Sequence, residues 1–212
     1  GMRVGFWRMH KACEARGIPT GSRHVCDSIG AVRYPEFRMD MVRVGAALFG
    51  VRPMRMGPEY DAYPFPAPAA YVTRIARIRT LAEGEMVSYD DSWKAPAGGT
   101  RIATLPVGYA DGYPRRFGNR AQVLVNGHRA PVVGLVCMDQ AMVALGGIEA
   151  EAGDEVIRLG AGIGLGEAAD WGSTNRNEIL CGIGRRVPRL YVRRGATAAF
   201  DDRLSGSTLT WL

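Results

Sequence analysis

Gln122-Val123-Leu124-Val125-Asn126-Gly127-His128-Arg129-Ala130-Pro131-Val132-Val133 is the stretch that decides the fold. Two apolar runs flank Asn126-Gly127, and Asn-Gly is the preferred two-residue hairpin turn because both residues tolerate positive φ. A β-hairpin is therefore expected here. Outward from it, Val72 to Thr80 alternates, with Ala76 and Ile78 opposite Arg77 and Arg79. Ile102 to Val107, Glu155 to Leu159 and Leu190 to Arg193 read as further strands. One short helix is expected at Asn177 to Cys181, with Asn175 and Glu178 placed as a capping pair. No internal repeat or low-complexity tract interrupts the chain. Residues 71–212 are thus expected to form a C-terminal antiparallel β domain.

The composition changes upstream. Pro58, Pro64, Pro66 and Pro68 fall among aromatics, and proline removes backbone donors, so 58–70 reads as a Pro-rich linker. Before it, Phe6, Met9 and Cys13 recur at helical spacing from Val4 to Arg16, and Gly17 follows as a stop. Arg23 to Cys26 reads as a short strand, Ser28 to Arg33 as a brief helix and Met41 to Phe49 as a second strand. Strand, helix and strand in this order imply parallel α/β architecture for residues 1–57.

Of the 212 residues, 47% are hydrophobic and 23% charged, an ordinary globular composition. The net charge of +6 raises the question of nucleic acid, but the arginines are scattered. In the densest run, Arg185 to Arg194, apolar residues interrupt the charge as in a strand with a solvated face, so no nucleic-acid partner is expected. No apolar run approaches the roughly 18 residues of a membrane span, and no membrane partner is expected. Gly1 to Arg3 shows no signal-peptide layout, and Gly1-Met2 reads as a remnant before an initiator methionine. A cytoplasmic protein is the expectation. Cys13, Cys26, Cys137 and Cys181 lie far apart, without a CxxC pair, and read as buried thiols rather than metal ligands.

Three constellations carry candidate chemistry. Arg23-His24-Val25-Cys26-Asp27-Ser28, with Asp40 to Gly50, gives two strands ending in small or polar residues, a layout that offers backbone amides and a hydroxyl to an anion. It equally suits two packed turns that bind nothing. Met86 to Trp93 holds Tyr89, and Leu105 to Arg115 holds Tyr109, joined by Gly134 to Gln140. A tyrosine acts as acid or base only if its pKa falls well below about 10, which composition does not reveal. Taken singly, both tyrosines also suit packing.

Together these segments resemble alanine racemase, in the family's order and across nearly the whole chain. The family's HxxNS, DxVRxGxxxYG, SYGxxW, GYADGYPR, VGRxCMDQ, GDEVxLxG and RVPRxY patterns find counterparts starting at His24, Asp40, Ser88, Gly108, Val133, Gly153 and Arg186. The resemblance implies a pyridoxal phosphate (PLP) enzyme that interconverts L- and D-alanine and supplies D-alanine for peptidoglycan. It implies a homodimer whose N-terminal β/α barrel holds PLP on a lysine, while the C-terminal β domain covers the partner's site. Tyr89 matches the second base, the one given by the other subunit. Tyr109, Met138 and Asp139 match substrate-binding positions. Arg43 matches the arginine that faces the pyridine nitrogen, and Ser28, Gly45 and Ala46 match the phosphate cradle.

Departures accompany the match. Asp27 stands where the family has Asn, Asp90 follows Tyr89 in place of Gly, and Leu135 replaces an arginine. Arg185 stands where many members place a phosphate-contacting tyrosine, and its guanidinium suits a phosphate too. Nothing like the KANAYGHG segment that carries the PLP lysine is present, and Lys11 and Lys94 lack its context. The reading is a barrel remnant of the last two strands, unable to close by itself and expected to be inactive without a partner chain supplying the rest. Two other readings stay open: a non-catalytic dimerisation or binding module, and a racemase for serine or a basic amino acid, the latter prompted by Asp90 and Asp91.

Overall fold

The computed structural model describes residues 2–51 and 68–211 and divides into two compact units, Gly1–Pro68 and Ala69–Leu212. Most of the proline-rich segment at 58–70 lies outside the described residues.

In the first unit, α1 (Met2–Glu14) and α2 (Ser28–Arg33) are the regular elements. Asp27 caps α2, its carboxylate accepting the Gly30 N–H at 2.8 Å. Asp and Asn serve this position about equally well, which gives the Asn-to-Asp departure a local role. The strands expected at Arg23 to Cys26 and Met41 to Phe49 do not form. A single parallel bridge joins Asp27 to Arg43. It is flanked by Asp40 N–H to Arg23 O at 3.1 Å and Arg43 N–H to Cys26 O at 2.9 Å. Residues Ala46–Phe49 coil into a 3-10 turn instead. Parallel strands gain their stability inside a sheet covered on both faces, and among the described residues these two short segments pair only with each other.

The second unit is a curled antiparallel sheet of seven strands. They are β1 (Tyr71–Arg74), β2 (Arg77–Leu81), β5 (Thr100–Leu105), β6 (Gln122–Val125), β7 (His128–Val133), β8 (Ala141–Ala144) and β9 (Glu155–Leu159). Their order is β1-β9-β6-β7-β8-β5-β2. The alternating run Val72 to Thr80 is two strands rather than one, broken at Ile75-Ala76. Ile75 N–H goes to Asp154 O and Ala76 N–H to Thr104 O. The two outermost strands of the sheet are therefore covalent neighbours, so the sheet must curl until its edges meet. Curling encloses the larger apolar core, including Leu105, Val123, Val125, Val132, Val143 and Val156, all essentially inaccessible, while Leu81, Val87, Ala95, Ile102 and Val133 form a second cluster. The hairpin forms where expected, Asn126 and Gly127 turning at φ of 49° and 80° with Gln122 opposite Pro131.

Smaller elements decorate the sheet. A two-stranded ribbon pairs β3 (Met86–Val87) with β4 (Trp93–Lys94). Helices α3 (Leu165–Trp171) and α4 (Arg176–Cys181) add Ala168, Ala169 and Ile179 to the core of the seven-stranded sheet, and Asn175 caps α4 by accepting the Glu178 N–H at 2.9 Å. A three-stranded meander of β10 (Arg189–Arg193), β11 (Ala196–Asp202) and β12 (Ser207–Trp211) follows. No helix among the described residues is long and apolar enough to cross a membrane.

Candidate active site

The second unit brings three of the sequence motifs into one neighbourhood. Tyr89 opens the short 3-10 turn Tyr89–Asp91 between β3 and β4, and is 64% exposed. The backbone here is strained, with Ser88, Asp90 and Asp91 at φ of 76°, 58° and 47°. An L-residue pays roughly 1–2 kcal/mol in that region, and Asp lowers the cost by bonding locally. The family's glycine after the tyrosine is understandable on this geometry. Ser88 ties the turn down: its Oγ donates to Leu135 O and accepts from Leu135 N–H, both at 2.9 Å.

Tyr109 opens a second 3-10 turn, Tyr109–Asp111. Its N–H donates to Cys137 O, and the Ala110 N–H donates to Met138 O, each at 3.0 Å. The Asp111 carboxylate accepts the Gly108 N–H at 2.9 Å and closes the turn. Gly112 ends it at φ 85°, where a Cβ would lie 2.0 Å from the Gly182 carbonyl oxygen, so only glycine fits. Backbone bonds thus bring Tyr109 beside Met138, with Asp139 next in the chain, and all three are exposed.

Arg186 was not singled out from the sequence, yet it joins this cluster. Its Nε donates to Asp111 Oδ1 at 2.7 Å and its Nη2 to Asp139 Oδ1 at 2.5 Å. Those bonds, Asp111's first, hold the guanidinium pKa well above its ordinary value. The available signal was its place as first residue of the RVPRxY pattern. Arg185, beside it, is exposed.

A second unanticipated residue is Arg158, 2% exposed. The GDEVxLxG pattern has leucine there, and the apolar parity of Glu155–Leu159, in which Arg158 shares a face with Val156, was the missed warning. Its guanidinium carbon lies 3.4 Å from the Tyr71 ring centroid and 4.6 Å from that of Tyr113. Its three nitrogens find no hydrogen-bond partner among the described residues. Burial pushes its pKa down, while the two tyrosines oppose that shift. Tyr71 in turn donates its hydroxyl to Asp111 O at 2.7 Å, which links the ring beside Arg158 to the turn that carries Tyr109.

The first unit holds the remaining candidates. Arg43 Nη1 lies 2.7 Å from His24 Nδ1. A guanidinium only donates, so Nδ1 accepts and the neutral ring carries its proton on Nε2. Ser28 Oγ accepts from Gly45 N–H at 3.1 Å and from Ala47 N–H at 3.4 Å. With its lone pairs so used, the hydroxyl proton remains as the donor for an anion. Ala46 is the first residue of its 3-10 turn, where a helical N–H has no acceptor inside the helix. A Cβ on Gly45 would meet nothing within 4 Å. The donor set of a hydroxyl, backbone amides and an oriented guanidinium fits a phosphorylated pyridine. Arg23 and Asp40 pin the two segments together through bonds of 2.8 to 3.0 Å, and the Arg23 side chain holds the Asp40 carboxyl down to about 2.

Comparison with known proteins settles the kinship. The family described as alanine racemase, C-terminal domain, matches residues 69–191. The chain belongs to that family. The alanine racemase of Symbiobacterium thermophilum is 45% identical over 182 residues, covering 84% of this chain and 48% of that protein. A Clostridium difficile 630 alanine racemase in complex with cycloserine superposes with a TM-score of 0.87 at 31% identity, over 96% of this chain and 54% of its own. The Bartonella henselae alanine racemase with covalently bound pyridoxal phosphate gives 0.76 at 31% identity, over 86% and 50%. The chain spans about half the length of the curated alanine racemases it matches.

Proposed function

We propose that these residues furnish the lid and the phosphate-side wall of a PLP-dependent alanine racemase acting as a homodimer. The observation that carries the reading is the backbone tie of the Tyr109 turn to Cys137 and Met138, with the Tyr89 turn bonded to neighbouring Leu135. Three motifs distant in sequence thereby meet in one place, within a chain of this family.

PLP, when bound, supplies an electron sink that makes the α-hydrogen of an amino acid removable. The chain's own groups do the rest. The Tyr89 hydroxyl holds or receives the α-proton on one face, opposite a lysine amine on the other. The Met138 backbone, with Asp139 held by Arg186, sets where the substrate carboxylate lies, and Tyr109 lines the approach. Arg43, oriented by His24, would face the pyridine nitrogen and donate without surrendering its proton. Ser28, Gly45 and Ala46 would hold the phosphate. The lysine comes from barrel residues beyond these 212, supplied by a longer chain or a partner. The D-alanine produced would feed peptidoglycan synthesis in the cytoplasm.

The test is complementation. The chain is mixed with a polypeptide carrying a lysine-bearing barrel half, PLP is added, and L-alanine, L-serine and L-lysine are each followed by polarimetry. The reading predicts racemisation of alanine by the mixture and none by either component. Turnover of lysine in preference to alanine would instead assign Asp90 and Asp91 a substrate role. An assembled, PLP-binding mixture that racemises nothing would contradict the enzyme reading and leave a binding module.

A further inference from the structure

The strained turn bearing Tyr89 is fastened at both ends by side chains to which the proposed chemistry assigns no step. At its start, Ser88 Oγ makes the paired 2.9 Å bonds to the N–H and C=O of Leu135. At its end, Asn119 Nδ2 donates to Ser92 O at 3.0 Å, while Asn119 Oδ1 accepts the Gly134 N–H at 2.7 Å. Both clamps close on the same short segment, Gly134-Leu135, which leads within four residues to Met138. Gly134 permits the approach: at φ 71° a Cβ there would stand 2.5 Å from Ser88 Cβ. Left-handed residues persist only where their surroundings over-determine them, and Ser88, Asp90 and Asp91 lie within this clamp.

We propose that Ser88 and Asn119 are positioning residues that fix the register between Tyr89 and the Met138 backbone. This rests on the reading of Tyr89 as the proton-transfer group and Met138 as the carboxylate site. A proton moves efficiently only between atoms held at bonding distance, so a loop free to drift by about 1 Å forfeits rate on the order of 100-fold. A single clamp would let the turn pivot about it. Two clamps on one segment stop the pivot.

Glycine substitutions test this cleanly, because Ser88 and Asn119 already sit at φ of 76° and 56°, a region glycine occupies without strain. Nitrogen-15 relaxation on the full 212-residue chain reads the order of the Tyr89 amide. In the wild type it should be near the rigid value of about 0.85, and in S88G or N119G it should fall below about 0.6, with Val123 and Val143 amides unchanged. In the complemented racemase the same variants should lower kcat by roughly 10- to 100-fold with KM within about twofold. A Tyr89 amide as ordered in both variants as in the wild type would overturn the proposal, as would a fall in KM and kcat alike. If the wild-type assembly racemises nothing, the functional reading fails by itself, and the relaxation measurement still decides whether the clamps hold the turn.

Discussion

The guanidinium carbon of Arg158 lies over the ring of Tyr71, 3.4 Å from its centroid, in a core where none of its nitrogens finds a hydrogen-bond partner among the described residues. Each ring face offsets about 2 kcal/mol of a desolvated cation, well short of the several kcal/mol that burying the charge costs. Arg158→Met keeps the side chain's length and removes the charge. Thermal melts should show the variant more stable by about 1 kcal/mol or more, a rise in Tm of roughly 2–4 °C. A fall of that size would mean that the cation is what holds Tyr71 against Asp111.

Tyr113, the other ring over Arg158, buries a hydroxyl with no partner among the described residues. Burial pushes its pKa well above the ordinary value of 10. The unfolded chain loses this proton near pH 10 and the folded chain does not, so stability is intact below pH 10 and falls as pH rises further. Tyr71 is raised in the same sense by burial. Urea titrations of Tyr113→Phe between pH 10 and 12 should show a stability slope shallower by about 1.4 kcal/mol per pH unit. An unchanged alkaline limb would place the phenol in contact with water.

Asp40 makes the opposite case in the first unit. Hydrogen bonds from the Arg23 side chain, then its backbone, hold the carboxyl down to about 2. Its support for the bridge between the two segments is present above the ordinary carboxylate range near pH 4 and disappears as pH falls through 2. Carbon-13 titration of the Asp40 side-chain carboxyl should give a midpoint near 2 in the wild type. In Arg23→Ala it should return toward about 3.9. A wild-type midpoint near 3.9 would show that the pair does not form.

Legibility in the sequence followed locality. The hairpin at Asn126-Gly127 and the cap at Asn175 were readable because their causes lie within a few residues. Strands β8 and β11 were missed, since Ala141–Ala144 is short and Ala196–Asp202 is largely small residues with weak strand preference. Arg23 to Cys26 and Met41 to Phe49 read as strands because their residue types suit a sheet, yet the only ladder contact among the described residues here is a single bridge, Asp27 to Arg43. The motifs pointed to Tyr89, Tyr109, Met138 and Asp139 as candidates. What they did not reveal was Ser88 reaching Leu135 across 47 positions, or Arg186 reaching Asp111 across 75. Bonds of that span depend on how the sheet curls, which no local pattern encodes.

The most direct test of the account is the fate of the α-hydrogen in D2O when the complemented assembly carries Tyr89→Phe. Two bases on opposite faces are needed to invert a centre, but one suffices to exchange its hydrogen. The account predicts racemisation lowered by about 100-fold or more, with deuterium still entering one enantiomer of alanine without inversion. Racemisation at the wild-type rate, or exchange persisting in both enantiomers, would contradict it.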